Sequence, residues 1–186
     1  MTTEAEPQGT FNSKTLFIWG IVIALLLVLG LGLRETNQVQ PTPGNPAPEL
    51  ALSFFEGYEF NGQREGALSD LQGEIVVLNF WASWCAPCRQ EAAELEAVSR
   101  EYADRGVTFL GIAWTDIDRN ALAYLEEYDI TYPNAPDIGL DAQELYHFKQ
   151  VPETFFIDVN GTIQHFHSGP ITAEQLRVYL DQMIGG

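Results

Sequence analysis

Residues 75–91, IVVLNFWASWCAPCRQE, constrain this chain more than any other stretch. Ile75, Val76, Val77 and Leu78 form a continuous apolar run, the pattern of a central strand covered on both faces. The stretch runs on into an amphipathic helix, with Leu95 and Val98 apolar and Arg89, Gln90, Glu94 and Glu96 polar. Between strand and helix stand Cys85 and Cys88, the only two cysteines in the chain. In a CxxC at this junction the first cysteine sits at the helix N-terminus, where unpaired backbone N–H groups and the helix dipole stabilise a thiolate. Cys85 is the expected nucleophile toward a partner disulfide, and Cys88, nearly one turn further in, resolves the mixed disulfide. Pro87 suits the first helical turn, where its missing N–H costs nothing. Trp81 and Trp84 are expected to cover the pair with apolar surface. The competing readings of the pair are a structural disulfide and half of a metal site.

The chain has 186 residues, and beyond its N-terminal segment it is long enough for one domain with its own core. Its net charge of −17 argues against nucleic acid or an anionic membrane surface as the main ligand. The acidic excess reads first as solubility; a preference for basic partner segments is the sharper reading. Two cysteines and three histidines exclude four-cysteine zinc sites and do not complete a zinc-finger spacing, so no metal is expected.

Residues 1–15 are polar and expected to be disordered. Residues 16–33, LFIWGIVIALLLVLGLGL, carry no charge. As a helix they would span about 27 Å, near the hydrocarbon thickness of a bilayer. Lys14 and Arg34 flank the run, and Trp19 lies near one end as an interfacial anchor would. A cleaved signal peptide is the alternative, but no A-x-A site follows. The expectation is a single-pass anchor in a bacterial cell membrane, with the domain extracytoplasmic. Residues 34–48 hold four prolines and form a stiff linker, leaving the domain at 49–186.

That domain opens with β stretches around 51–55 and 58–60 and a short helical turn at Ser69–Asp70 before Gly73. The 75–81 strand, a helix over about 86–104 closed by Gly106, and a strand at 107–114 make a βαβ unit with a parallel strand pair. Asp118 is expected to cap a helix reaching Tyr128. A short helix at 140–148 and a strand from Glu153 follow. Asn160-Gly161 turns that strand into 162–167 as a hairpin. A helix from Thr172 to about Met183 closes the chain.

FWASWCAPC followed by VPETFFID resembles the thioredoxin superfamily. With PAPEL, LSDLQGE and NGTI added, the chain more closely resembles the membrane-anchored TlpA/ResA/DsbE-like thiol–disulfide oxidoreductases, an AhpC/TSA-redoxin-like group that serves cytochrome c maturation. The likeness covers about 47–186. It implies an α/β thioredoxin-like fold, a central mixed sheet flanked by helices, with an N-terminal β-hairpin extension and one transmembrane helix. It also implies that Pro152 is a cis-proline facing the CxxC, presenting the backbone of Val151 to an extended partner. Thioredoxin carries a buried aspartate where this chain has Asn79. The similar reductases carry a glutamate three residues after the second cysteine, matched here by Glu91, which shares a helix face with Cys88 and can exchange a proton with it. Glu153 follows the proline as in DsbE-like members, and a carboxylate near the thiols favours a reductant over an oxidant.

The resemblance implies a monomeric protein-disulfide reductase without a soluble cofactor, since the cysteines carry the electrons. Its expected substrate is a protein disulfide such as the CxxCH of an apocytochrome c, and its expected electron source is a membrane thiol reductant of DsbD/CcdA type. Two other functions compete. A thiol peroxidase wants a Pro-x-x-x-Thr-x-x-Cys environment that LNFWASWC lacks. A copper chaperone of this group uses CxxxC with a histidine, where this chain has CxxC. His165 and His167 alternate on a strand and share a face, which suits an exposed strand better than a metal pair. Tyr124, Tyr128, Tyr132 and Phe148 are expected to pack the core or the domain surface.

Overall fold

A computed structural model describes residues 13–35, 40–137, 139 and 141–185. The chain divides between Val39 and Gln40 into two units. In the first, the uncharged run lies within helix α1 (Ser13–Glu35), whose described side chains are exposed and apolar from Leu16 to Val28. Among the described residues no helix is long and apolar enough to cross a membrane. The tail at 1–12 and linker positions 36–39 lie outside the described residues.

The second unit begins with the proline-rich segment at the edge of a sheet. Gly44 donates its N–H to Ile163 O, Ile163 returns one to Asn45 O, and Ala47 donates to Gly161 O. Strand β1 (Ala51–Ser53) then pairs antiparallel with β2 (Glu65–Ala67). The expected partner stretch at 58–60 is not a strand: Tyr58 N–H closes a turn on Phe55 O, and Phe60 bridges only Gln63. A 3-10 turn at Leu68–Leu71 buries its two leucines and leads into the main sheet.

The apolar run forms β3 (Ile75–Trp81), buried along its whole length. Helix α2 (Ala86–Tyr102) follows and is continued by a 3-10 turn. Gly106 closes it at φ 72°, a left-handed backbone that favours glycine. Strand β4 (Val107–Ala113), helix α3 (Asp118–Glu127), β5 (Asn134–Pro136) and the short α4 (Asp141–Tyr146) come next. They are followed by β6 (Glu153–Ile157), β7 (Ile163–Ser168) and α5 (Ala173–Gly185). The five-stranded sheet runs β5-β4-β3-β6-β7, with β3, β4 and β5 parallel and β6 and β7 antiparallel. Strand order reverses at β3, and in such sheets the carboxyl end of the strand at the reversal is where ligands and chemistry gather. One sheet face packs on α2, α3 and α5 through Val77, Trp81, Val98, Leu125 and Leu180. The other packs on α4 and the β1–β2 pair through Leu78, Phe80, Leu52 and Tyr146.

Two helix starts show how local signals fare. Thr172 and Gln175 form a reciprocal cap on α5: Thr172 N–H donates to Gln175 Oε1 at 3.0 Å, and Gln175 N–H to Thr172 Oγ1 at 3.3 Å. Asp118 does not cap α3. The cap position is Ile117, with no side-chain bond, and the nearby carboxylate of Asp116 is turned toward the CxxC loop instead.

Candidate active site

Cys85 occupies the cap position of α2 in an extended conformation, and Pro87 sits in the first turn. Cys88 N–H points at Cys85 Sγ from 3.1 Å, so a free donor of the helix end faces the sulfur that carries charge when the pair is reduced. Cys85 and Cys88 are joined in a disulfide. Cys88 is wholly buried, while Cys85 keeps 4% exposure, so an incoming partner meets Cys85 first. The Val151–Pro152 peptide is cis, and Val151 O lies 3.4 Å from Cys85 Sγ. Trp84 flanks the pair at 58% exposure, its indole N–H donating to Thr115 O and its ring 5.8 Å from that of Trp114.

The loop that presents Cys85 is tied down from across the sheet. Asp116 accepts the Ser83 N–H at 2.5 Å and the Ser83 hydroxyl at 2.9 Å. Arg89 donates to Ser83 O, pairs with Glu127 on α3, and lies over the rings of Tyr124 and Tyr128. Trp81 does not cover the site. It is buried, stacks on Tyr124 at 4.4 Å, and gives its indole N–H to Asn134 Oδ1 at 2.9 Å. A large indole at the last position of a central strand finds its apolar contacts and its one acceptor inside the domain. Tyr124 belongs to the site's frame, its hydroxyl donating to Cys88 O at 3.0 Å. The sequence reading expects it to pack the core or the domain surface, and nothing in the sequence pointed its hydroxyl at Cys88.

Glu91 lies one turn beyond Cys88 on α2, 1% exposed. Asn79 Nδ2 donates to Glu91 Oε1 at 2.9 Å and also to Thr154 Oγ1 at 3.0 Å. Ile171 N–H donates to Glu91 Oε2 at 2.8 Å. Burial pushes the Glu91 carboxyl up to about 7, and the two donated bonds only partly offset that rise. The asparagine that replaces an acid on β3 therefore holds the acid supplied by α2.

Glu153 takes a different position. Thr154 faces Asn79 and the α2 side, so its neighbour Glu153 projects to the other face of the sheet. There it accepts from Gln40 Nε2 at 2.7 Å, and burial raises its carboxyl above the usual range. Cys85, Cys88, Trp84, Pro87, Val151 and Pro152 thus meet at one end of β3. Glu91 lies behind them, and Glu153 is adjacent in sequence but across the sheet.

His165 stacks on Tyr179 of α5 at 4.8 Å, and burial lowers its pKa; His167 Nε2 lies 3.3 Å from Pro170 O. Among the described residues no group of three or more His, Cys, Asp or Glu could hold a metal ion.

A thioredoxin-like sheet with a disulfide at the strand-to-helix junction of β3 and α2 defines the thioredoxin class of redox protein. The chain belongs to the AhpC/TSA family, whose model matches residues 43–166. It is 31% identical over 173 residues to the thiol-disulfide oxidoreductase ResA of Oceanobacillus iheyensis, covering 93% of this chain and 88% of the relative. It is 35% identical over 174 residues to the thiol:disulfide interchange protein DsbE of Allochromatium vinosum, covering 90% of each. A crystal structure of a thiol:disulfide interchange protein of the thioredoxin family from Chlorobium tepidum superposes with a TM-score of 0.65 at 25% identity, covering 79% of this chain and all of that one. With its Cys85–Cys88 pair, the protein is a thiol–disulfide oxidoreductase of the ResA/DsbE type.

Proposed function

We propose that the protein works as a membrane-anchored, extracytoplasmic reductase of protein disulfides, with the CxxCH of an apocytochrome c during cytochrome c maturation as its substrate. The observation that carries the reductase reading is Glu91, a buried carboxyl behind Cys88 whose pKa burial raises to about 7. In the reduced protein the Cys85 thiolate attacks one sulfur of the partner disulfide. A Cys85–partner bond forms, and the partner's other sulfur leaves as a thiolate. Cys88 then loses its proton, for which Glu91 is the acceptor, and attacks Cys85 Sγ. The Cys85–Cys88 bond forms, the second partner thiolate leaves, and two electrons have passed to the partner. Val151, beside the proline, offers its backbone to the partner chain. Trp84 supplies apolar contact at the rim. A carboxylate ionising near Cys88 opposes a second negative charge there, which disfavours the dithiolate form and favours electron donation.

The uncharged run at 16–33 and the likeness to ResA and DsbE support the anchor and the extracytoplasmic location. A membrane thiol reductant of the DsbD/CcdA type would recharge the disulfide, and no soluble cofactor enters the cycle. The test is reduction of a disulfide-bonded CxxCH peptide by the pre-reduced full chain, together with its midpoint potential against glutathione. Rapid reduction and a potential well below that of glutathione are expected. A potential near that of a strong oxidant such as DsbA would sink the reductase reading, and turnover of hydrogen peroxide would replace it with a peroxidase.

A further inference from the structure

Between α2 and α3, the backbone of Cys88 is held at both ends. Its N–H faces Cys85 Sγ at 3.1 Å, and its carbonyl accepts the Tyr124 hydroxyl at 3.0 Å. The two holds differ in origin. The first comes from the other cysteine, as does the disulfide bond itself. The second comes from α3, 36 residues along the chain. The hydroxyl is fixed in its turn. Tyr124 is buried, its ring stacks on Trp81 with centroids 4.4 Å apart, and the Trp81 indole is bonded to Asn134 Oδ1. Arg89 lies 5.7 Å from the Tyr124 centroid and is itself paired with Glu127 of the same helix. Burial, and then the charge of Glu91, raise the Tyr124 phenol above its ordinary value, so it remains a donor. A carbonyl oxygen has two lone pairs, so Cys88 O can take this bond beside the one that the helix ladder offers. Neither the attack by Cys85 nor the proton transfer to Glu91 uses it.

The bond matters in the step between those two. Once Cys85 Sγ is bonded to a partner sulfur it carries no charge, and it becomes a weak acceptor for the Cys88 N–H. The Cys85–Cys88 bond is absent at that moment. The N–H groups of a helix's first turn have no intrahelical partners, and Pro87 has no N–H, so this turn is the part of α2 least held by its own backbone. Of the two holds on Cys88, only the Tyr124 bond outlasts the opening of the disulfide. It keeps Cys88 Sγ within reach of Cys85 Sγ for the second attack, in which the Cys85–Cys88 bond forms and the partner thiolate leaves.

We propose that Tyr124 is a positioning residue for the resolving step: its hydroxyl holds the Cys88 backbone while the mixed disulfide exists, and so sets how fast the partner is released. This rests on Cys88 being the resolving thiol, whichever way electrons flow. Dipyridyl disulfide reports the two steps separately, because each releases one absorbing thione. The pre-reduced full chain in non-ionic detergent should show a first phase that scales with reagent concentration and a second that does not. Tyr124→Phe keeps the ring and its stack and removes only the hydroxyl. It should leave the first phase unchanged and slow the second about fivefold, the worth of one neutral hydrogen bond. Leu122→Ala, which trims an apolar contact between α3 and the core, should lower the denaturation midpoint without slowing the second phase. That contrast separates positioning from loss of stability. Equal slowing of both phases by Tyr124→Phe, an unchanged second phase, or the same selective slowing in Leu122→Ala overturns the proposal. Cys88→Ala checks the resolver and should release one thione and stop. Release of two would overturn the resolver assignment and the proposal with it, a failure read in Cys88→Ala and distinct from any result with Tyr124→Phe.

Discussion

Asn79 donates its side-chain amide to Glu91 at 2.9 Å inside the core, joining the central strand to the helix that carries both cysteines. The bond orients a carboxyl that burial holds near neutrality. In the unfolded chain Glu91 ionises near 4.5, and in the folded protein near 7. Its stabilising contribution is fully present below about pH 4.5 and is lost as pH rises through about 7. At about 1.4 kcal/mol per pKa unit, the loss is on the order of 3 kcal/mol. Glu91→Gln should remove this pH dependence, so urea denaturation across that window would show the stability of the variant rising relative to wild type. The pH profile of disulfide reduction should also lose an inflection near 7. An unchanged profile would mean that Glu91 takes no part in proton transfer.

Cys85 meets solvent and Cys88 does not, so the two cysteines should part company when either is removed. Cys88→Ala leaves the attacking thiol without its resolver and should accumulate mixed disulfides with partner proteins, seen as adducts on non-reducing gels. Cys85→Ala should trap almost none. The reverse pattern would exchange the two roles.

Asp116 takes two bonds from Ser83, two residues before Cys85. Asp116→Ala leaves that loop untied and should cost about 2 kcal/mol, in the range of bonds to a charged acceptor. Disulfide reduction should slow, because the loop no longer holds Cys85 at the cap of α2. Asp116→Asn keeps one acceptor oxygen and should recover part of both losses. Chemical denaturation and kcat/KM on a small disulfide read the two effects separately.

Gly111 lies against Asn134 and Trp81. A Cβ at Gly111 would come within 1.9 Å of Asn134 Oδ1 and 2.8 Å of Trp81 Nε1, the two atoms that bond each other. Gly111→Ala should therefore destabilise the fold by about 3 kcal/mol or more through overpacking and a broken buried bond. A shift in denaturation midpoint of less than a third of that would show that the β4–β5 edge yields easily.

Much of the site was legible because its chemistry is local. A buried strand followed directly by CxxC and an amphipathic helix leaves few ways to arrange three adjoining pieces. The turn at Asn160-Gly161, the stop at Gly106 and the cap at Thr172 act within a few residues of themselves. The failures have one physical cause, which is that the decisive partner lies far along the chain. The 58–60 stretch has strand-like residues, but β1 pairs with 65–67 because a turn intervenes. Asp118 looked like a cap, yet the cap position is Ile117 without a side-chain bond, and the nearby carboxylate of Asp116 is committed to Ser83, 33 residues away.

The sequence by itself determined which atoms react: two cysteines at the start of a helix, with an acid one turn on. Helix geometry places them on the chain alone, before any tertiary contact exists. Only the tertiary structure decided how those atoms behave. Sheet pairing set Asn79 opposite Thr154, the segment leading into α5 brought Ile171 N–H to Glu91, and burial between α2 and the sheet removed the water that would otherwise leave Glu91 an ordinary carboxylate. The same pairing turned Glu153 to the far face, where its partner is Gln40. Desolvation and sheet-face direction depend on what covers a residue, and the covering elements come from distant parts of the chain.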